Sequence, residues 1–451
     1  MATDAPRSEA QLGGDEMIGR YTRPEMGRIW SESARWEAAL RVEIAVAQAQ
    51  AKRGEIPATA AQAIATRAKV DLARIAELES TLDHDTLAFV TAVAESIGAE
   101  GRYLHFGLTS SDVVDTALAL QLRAASGLIL AELDALIRVI IRRAREERDT
   151  VMAGRTHSVH AEPMTLGAKL AGWAFEASRD RERLAAAAAE AATGKISGPV
   201  GTYSQISPQI EREALATLAL RADPVSTQIV QRDRHAALVS AIAITGGTLE
   251  RFATEIRNLQ HSEIDELREP FRAGQAGSSA MPQKRNPVKS ERIAGFARLL
   301  RGYAVVAMEN QALWHERDMS HSSAERVILP DATTLLHYAL FSMRGIVEGM
   351  EVNRAAMRRN LDAGLGLHAA SRLLTALVNA GVARESAYVT VQRAASTARE
   401  QSISLHRVAA ETPEIAGRLG ADGIDAALDE RAAIAHCGLL VDRLKEIDRA
   451  S

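Results

Sequence analysis

Three segments of the chain combine residue types that can bind anions or move protons. In GRTHSVHAEP, residues 154–163, His157 lies between a glycine and a proline just ahead of a stretch that reads as helix. A histidine there can be a core residue, a metal ligand or an acid/base group. His157, His160 and Glu162 are metal-ligand types, but Pro163 interrupts a helical i,i+3 face and no cysteine-rich or H-E-x-x-H partner accompanies them. Acid/base use is therefore preferred and no metal is expected. AGQAGSSAMPQKRNP, residues 273–287, runs from small residues to Lys284, Arg285 and Asn286, with Pro287 at a first helical position. A solvated linker has this composition too. Ser278 and Ser279 beside a cation and an amide also suit a carboxylate-binding lid that closes over a substrate. A serine acts as a base only where cations and amide donors lower the free energy of its alkoxide, and Lys284 with a helix N-terminus can supply both. In WHERDMSHSSAER, residues 314–326, Arg317, Ser322 and Arg326 read either as surface salt-bridge partners or as a phosphate or carboxylate clamp.

Two nucleotide-like motifs fail on inspection. TGKIS has a Gly-Lys pair, but Ala189 stands where a P-loop needs its first glycine. GLGLHA, from Gly364, resembles part of a dinucleotide fingerprint, yet the RRNLDA before it is no buried strand.

The elements that must carry these segments are helices. Apolar residues recur near a 3.6 period over Val113–Val151 without a proline, at Leu118, Leu122, Ile129, Leu133, Leu136, Ile137, Ile140 and Ile141. Similar stretches run over 164–192, 234–267, 287–314 and 330–352, each bounded by Pro or Gly clusters. Five long helices imply a bundle, and Ala-, Leu- and Ile-rich faces with 4% aromatic residues favour close packing and oligomerisation. The charged run from Arg138 to Arg148 reads as a solvated helix face.

Composition narrows the class. With 47% hydrophobic and 25% charged residues over 451 positions, the chain suits a large globular core. A net charge of −4 leaves no general basic field for nucleic acid or anionic lipid, so an anionic ligand must be met by local arginines. Charged residues recur throughout, and no window approaches the ~20 apolar residues of a membrane span. Cys437 is the only cysteine, which excludes an internal disulfide and points to a reducing compartment, the cytoplasm. Residues 1–16 are polar, lack the apolar stretch of a secretory signal, and read as a disordered tail.

Taken together, GLTSSD, GRTHSVHAEP and GSSAMPQKRNP resemble the three signature regions of the fumarase/aspartase superfamily. MIGRYTRPEM, LDHDTLAF, GKISGPVGTY, STQ, QRDRH and LWHERDMSHSSAER are similar to its adenylosuccinate-cleaving branch, so the likeness runs from about Met17 to the C-terminus. The resemblance implies an all-α chain of three domains, 17–111, 112–364 and 365–451. It also implies a homotetramer with a 20-helix core, each active site shared by three subunits. The implied reaction is β-elimination of fumarate from adenylosuccinate to give AMP, and from the succinyl-carboxamide ribotide SAICAR to give AICAR, without metal or organic cofactor. In that frame Ser278 falls on the base and His157 on the acid. Glu291 falls on the carboxylate that orients the acid, His84 on a second histidine, and His105 on a supporting one. Lys284 and Asn286 fall on groups that hold the succinyl carboxylate, next to Met281 of the same signature loop. Nucleotide contacts fall on Arg20, Tyr21, Asp83, Asp85, Thr109, Ser110, Gln228, Arg292, Arg317, Ser322 and Arg326. Gln283 occupies a variable loop position, and Ser158 stands where related enzymes often have glycine. Two other readings are another member of the superfamily, such as an argininosuccinate lyase or a carboxymuconate cycloisomerase, and a non-catalytic helical scaffold. The matches at Arg20, Tyr21, Arg317, Ser322 and Arg326 argue against the first, and intact Ser278, His157, Lys284 and Glu291 against the second.

Overall fold

Helices dominate the computed structural model, which describes residues 18–272, 274–275 and 277–448. The tail expected over 1–16 lies outside the described residues. Five helices exceed twenty residues beyond the N-terminal region: Ser110–Glu146, Leu166–Ala191, Asp233–Leu259, Val288–Glu309 and Ser320–Gly349. They match the five periodic stretches, with shifted ends. The last begins ten residues before Pro330, which sits inside the helix. A proline there removes one backbone bond. The turns before it are held independently, because Asp318 Oδ1 accepts the Ser320 amide at 2.7 Å and Glu325 is bound to a buried arginine. The 233–259 helix is long and apolar enough to cross a membrane, but 61% of its most apolar window is buried inside the protein.

The chain divides into two compact units. One comprises the described residues up to Leu133 with Asp180–Leu249 and Gly295–Phe341; the other comprises Asp134–Arg179, Glu250–Ala294 and the described residues from Ser342 onward. In the first, helices Glu32–Lys52, Ala58–Arg67, Asp85–Ile97 and Pro208–Thr217 pack on the start of the 110–146 helix around Trp36, Val42, Ile64, Phe89 and Ile210. Trp36 and Phe89 stack at 4.8 Å. Small residues set the approach of the long helices: a Cβ on Gly246 would meet Leu300 Cδ1 at 2.7 Å. Ile244, Leu299, Val305, Met308 and Val327 remain exposed on the long helices of this unit.

In the second unit Trp173 stacks on Phe252 at 4.4 Å, and Lys169 pairs with Glu255 at 2.5 Å. A C-terminal cluster forms around Leu373, Leu377, Leu405, Ile415 and Ile424. The segment 154–163, expected as a loop before a helix, is instead most of an antiparallel hairpin, Val151–Thr156 paired with Val159–Thr165. His157 and Ser158 form its two-residue turn with φ of 54° and 60°. A tight right-twisting hairpin needs positive φ at both central positions, which Asn-Gly supplies most readily. A residue with a Cβ costs about 1 kcal/mol there, which explains why glycine suits the position of Ser158.

The TGKIS segment is held from below. Lys195 has no exposed side-chain surface and pairs with the equally buried Asp112. Asp112 Oδ1 also accepts the amides of Ser197 and Gly198 at 3.0 and 3.1 Å, while Oδ2 accepts the Thr109 amide at 2.9 Å. The lysine of the discarded nucleotide motif is therefore a structural staple. Lys195→Met should lower stability by roughly 3–5 kcal/mol, the scale of a buried charge left without its partner. Thermal unfolding checks this, and an unchanged midpoint would contradict it.

Candidate active site

Each unit carries a separate group of the residues singled out in the sequence. In the first, Asp83, His84 and Asp85 form a helix junction. Asp83 closes helix Leu72–Leu82 in the left-handed region at φ 49°, and His84 caps helix Asp85–Ile97 by accepting the Leu87 amide on Nδ1 at 3.2 Å. That acceptor role leaves Nε2 as the protonated nitrogen of the neutral ring. Asp85 Oδ2 is gripped by Arg35 at 2.6 Å and Arg326 at 2.5 Å. Burial pushes Asp85 up, but the hydrogen bonds and charges of the two arginines outweigh it and hold the carboxyl well below its usual range.

Arg317 donates to Gln228 Oε1 at 3.3 Å, and the Gln228 amide donates to the Glu316 carbonyl, so two of the expected nucleotide contacts are mutually fixed. Arg326 and Ser322 flank Glu325 on the 320–349 helix. Glu325 accepts Arg232 Nε at 2.9 Å, and the same guanidinium bonds Asp115 through NH1 and NH2 at 2.7 and 2.9 Å. Burial raises Asp115, but the charge and hydrogen bonds of Arg232 lower it to about 2. Thr109 and Ser110 stand at the start of the 110–146 helix over the Asp112 staple. Arg20 is exposed, and Tyr21 meets Phe296 and Tyr338 edge-on at 4.9 and 5.5 Å. His105 is committed to Glu43, with 2.6 Å between Nδ1 and Oε1; burial lowers its pKa, but the glutamate raises it above the usual value overall.

The second unit holds the proton-transfer candidates. Ser278 Oγ accepts the amides of Ala280 at 3.3 Å and Met281 at 3.2 Å. Asn286 Nδ2 donates to the Gly277 carbonyl at 3.0 Å, and a Cβ on Gly277 would collide with the Lys284 carbonyl. The signature loop thus folds back so tightly that only glycine fits before the serine. The helix N-terminus expected to assist Ser278 is already occupied: Glu269 accepts the amides of Ser290 and Lys289 at 2.6 and 3.3 Å. The two amides that Ser278 Oγ accepts come instead from inside the loop. The Lys284 side chain is exposed. Glu291 and Arg292 lie on the first turns of the 288–309 helix. Among the described residues, neither Glu291 nor His157 makes a side-chain hydrogen bond or ion pair, and both are exposed. No group of three His, Cys, Asp or Glu side chains clusters as a metal site among the described residues. Glu162 is engaged by Ser371 Oγ at 2.7 Å.

Sequence reasoning missed Arg35, Asp115, Arg232, Glu266 and Glu269. Their partners are remote in sequence, so no local pattern marks them.

The helical fold is that of the fumarate-lyase superfamily. The solved fumarate lyase of Mesorhizobium sp. BNC1 superposes with a TM-score of 0.87 at 28% identity, covering 95% of this chain and 99% of its own. The 3-carboxy-cis,cis-muconate lactonizing enzyme of Pseudomonas putida gives 0.86 at 31% identity, over 95% and 98%. One architecture serves several reactions, so the family rests on sequence. Residues 19–302 match the family described as Lyase, and residues 366–444 match the adenylosuccinate lyase C-terminus. The adenylosuccinate lyase of Aquifex aeolicus (strain VF5) is 50% identical over 416 residues, 92% of this chain and 95% of that protein. The chain belongs to the adenylosuccinate lyase family.

The buried Asp115 makes stability depend on pH in one direction. Its folded-state pKa, about 2, lies below the ordinary 3.8. Its contribution is therefore complete above the ordinary value and disappears as pH falls through the folded one. Between pH 5 and 2 the wild type should lose on the order of 2 kcal/mol more than Asp115→Asn. Parallel pH–stability curves would rule this out.

Proposed function

We propose that the chain cleaves adenylosuccinate to AMP and fumarate, and SAICAR to AICAR and fumarate, by β-elimination. The observation that carries the substrate is the 50% identity with an adenylosuccinate lyase across 92% of the chain. The arrangement of Ser278 supports the chemistry. Its hydroxyl already accepts two amides, so the alkoxide needed to remove the succinyl Cβ proton would form among donors that stabilise it. As charge spreads from Cβ into the adjacent carboxylate, Lys284 and Asn286 would stabilise it more than they stabilise bound substrate. His157 would then protonate the departing nitrogen, with Glu291 orienting its ring and His84 assisting. Asp83, Asp85, Arg20, Tyr21, Thr109, Ser110, Gln228, Arg292, Arg317, Ser322 and Arg326 would bind the nucleotide and its phosphate, with Met281 beside the succinyl group. No metal or organic cofactor enters this scheme.

We infer a homotetramer in the cytoplasm, each active site drawing residues from three copies. The exposed Ile244, Leu299, Val305, Met308 and Val327 supply apolar faces for other copies to cover, and the unpartnered Glu291 and His157 are what a site completed by another subunit would leave in one chain. The division into 17–111, 112–364 and 365–451 is supported at its last boundary by the separate family match over 366–444.

Purified protein mixed with adenylosuccinate should release fumarate and AMP. Ser278→Ala and His157→Ala should each lower kcat by at least ~10² with the tetramer intact. Cleavage of argininosuccinate instead, or near-normal kcat in either variant, would overturn the assignment. Mixing the two inactive variants under conditions of subunit exchange should restore part of the activity, and proven exchange without recovery would refute shared sites.

A further inference from the structure

The hairpin that carries His157 is too slight to hold its own tip. A register irregularity falls at Gly154, between Ala153 and Arg155, where a Cβ would meet the Glu162 carbonyl at 2.6 Å. Beyond it remain two pairs, Arg155 opposite His160 and Thr156 opposite Val159. A two-stranded ribbon of that length is not stable alone, and its turn keeps two non-glycine residues at positive φ. Such a conformation persists only where the surroundings over-determine it.

The geometry points to Arg155 and Glu266 as positioning residues that fix the orientation of His157, an inference that rests on His157 being the acid. Arg155 donates from NH1 to Glu266 Oε2 at 2.9 Å and from NH2 to Oε1 at 2.6 Å, a two-pronged pair two residues from the turn. NH1 also reaches the Ala153 carbonyl at 3.3 Å, tying the guanidinium back across the irregularity. The Glu266 side chain has no exposed surface and is itself immobilised: Asn360 Nδ2 donates to Oε1 at 2.8 Å, its amide bonds the Leu259 carbonyl and its carbonyl accepts the Asn353 amide. Among the described residues, the other polar side-chain ties of the hairpin are Ser371 Oγ to Glu162, at the irregularity itself, and the Ala168 amide to Thr165 Oγ1, at the far end of the returning strand, so neither holds the two pairs next to the turn. Orientation of the tip therefore depends on the planar fork of Arg155. A lysine would keep the charge, lose one of the two bonds, and let the tip pivot. Because both lobes of the guanidinium face Glu266, Arg155 is not disposed as a substrate cation.

The test is steady-state kinetics of the assembled enzyme on adenylosuccinate for Arg155→Lys, Glu266→Gln and the paired Arg155→Met, Glu266→Met replacement, with His157→Ala as reference. Each should lower kcat by about 10- to 100-fold, the scale of an Å-level misplacement of a reacting group, with KM within about twofold of wild type. Arg155→Lys should change kcat little when His157 is already alanine, because both act through one group. The paired replacement leaves no uncompensated buried charge, so it remains informative if a single variant fails to fold. Wild-type kcat in the paired replacement, a rise in KM as the main effect, or an equal loss of kcat with and without His157 would overturn the inference. Near-normal kcat in His157→Ala alone would instead remove the acid assignment on which it rests.

Discussion

Asp112 is fully buried at the start of a 37-residue helix, and a carboxylate without water must find its compensation inside the protein. It finds Lys195, two amides of the 193–204 segment and the Thr109 amide. The same solution recurs where a long helix meets a functional segment. Asp115 and Glu325 share Arg232 beneath Ser322 and Arg326. Glu266 holds Arg155 below the hairpin turn, and Glu269 takes the first amides of the 288–309 helix next to the serine loop. Buried ion pairs contribute little net stability, but they tolerate few alternative arrangements. In this chain they anchor polar segments that join the long helices.

That division of labour fits the composition. Alanine-rich helices approach closely, as Gly246 against Leu300 shows, and form a stiff frame with few side chains able to reach a ligand. Reach is delegated to segments between helices, where backbone amides are available. Ser278 uses this directly by accepting two amides of its own loop. His157 uses it at the cost of positive φ at a residue with a side chain, a strain that functional positions commonly carry.

The two groups of site residues fall in separate compact units, and the acid candidate and its expected carboxylate are each without a side-chain partner among the described residues. Apolar side chains exposed on the long helices accompany this. Unpartnered polar side chains and exposed apolar faces in one chain are what the proposed assembly would cover.

The primary structure alone determined the helical class, because a 3.6-residue apolar period sustained over more than twenty positions has no other stable solution. The resemblance of GLTSSD, GRTHSVHAEP and GSSAMPQKRNP to known signature regions pointed to the family and to the candidate serine and histidine. Ends and turns were beyond it. Pro330 inside a helix and a hairpin around His157 both reverse local preference, since Arg232 and Glu266, remote in sequence, stabilise those conformations. Only the tertiary structure decided that Lys195 is a staple, that Glu269 occupies the helix N-terminus, and that Ser278 draws on Ala280 and Met281. Each is a choice of hydrogen-bond partner made when burial removes water, and a linear pattern does not encode which distant group will be there.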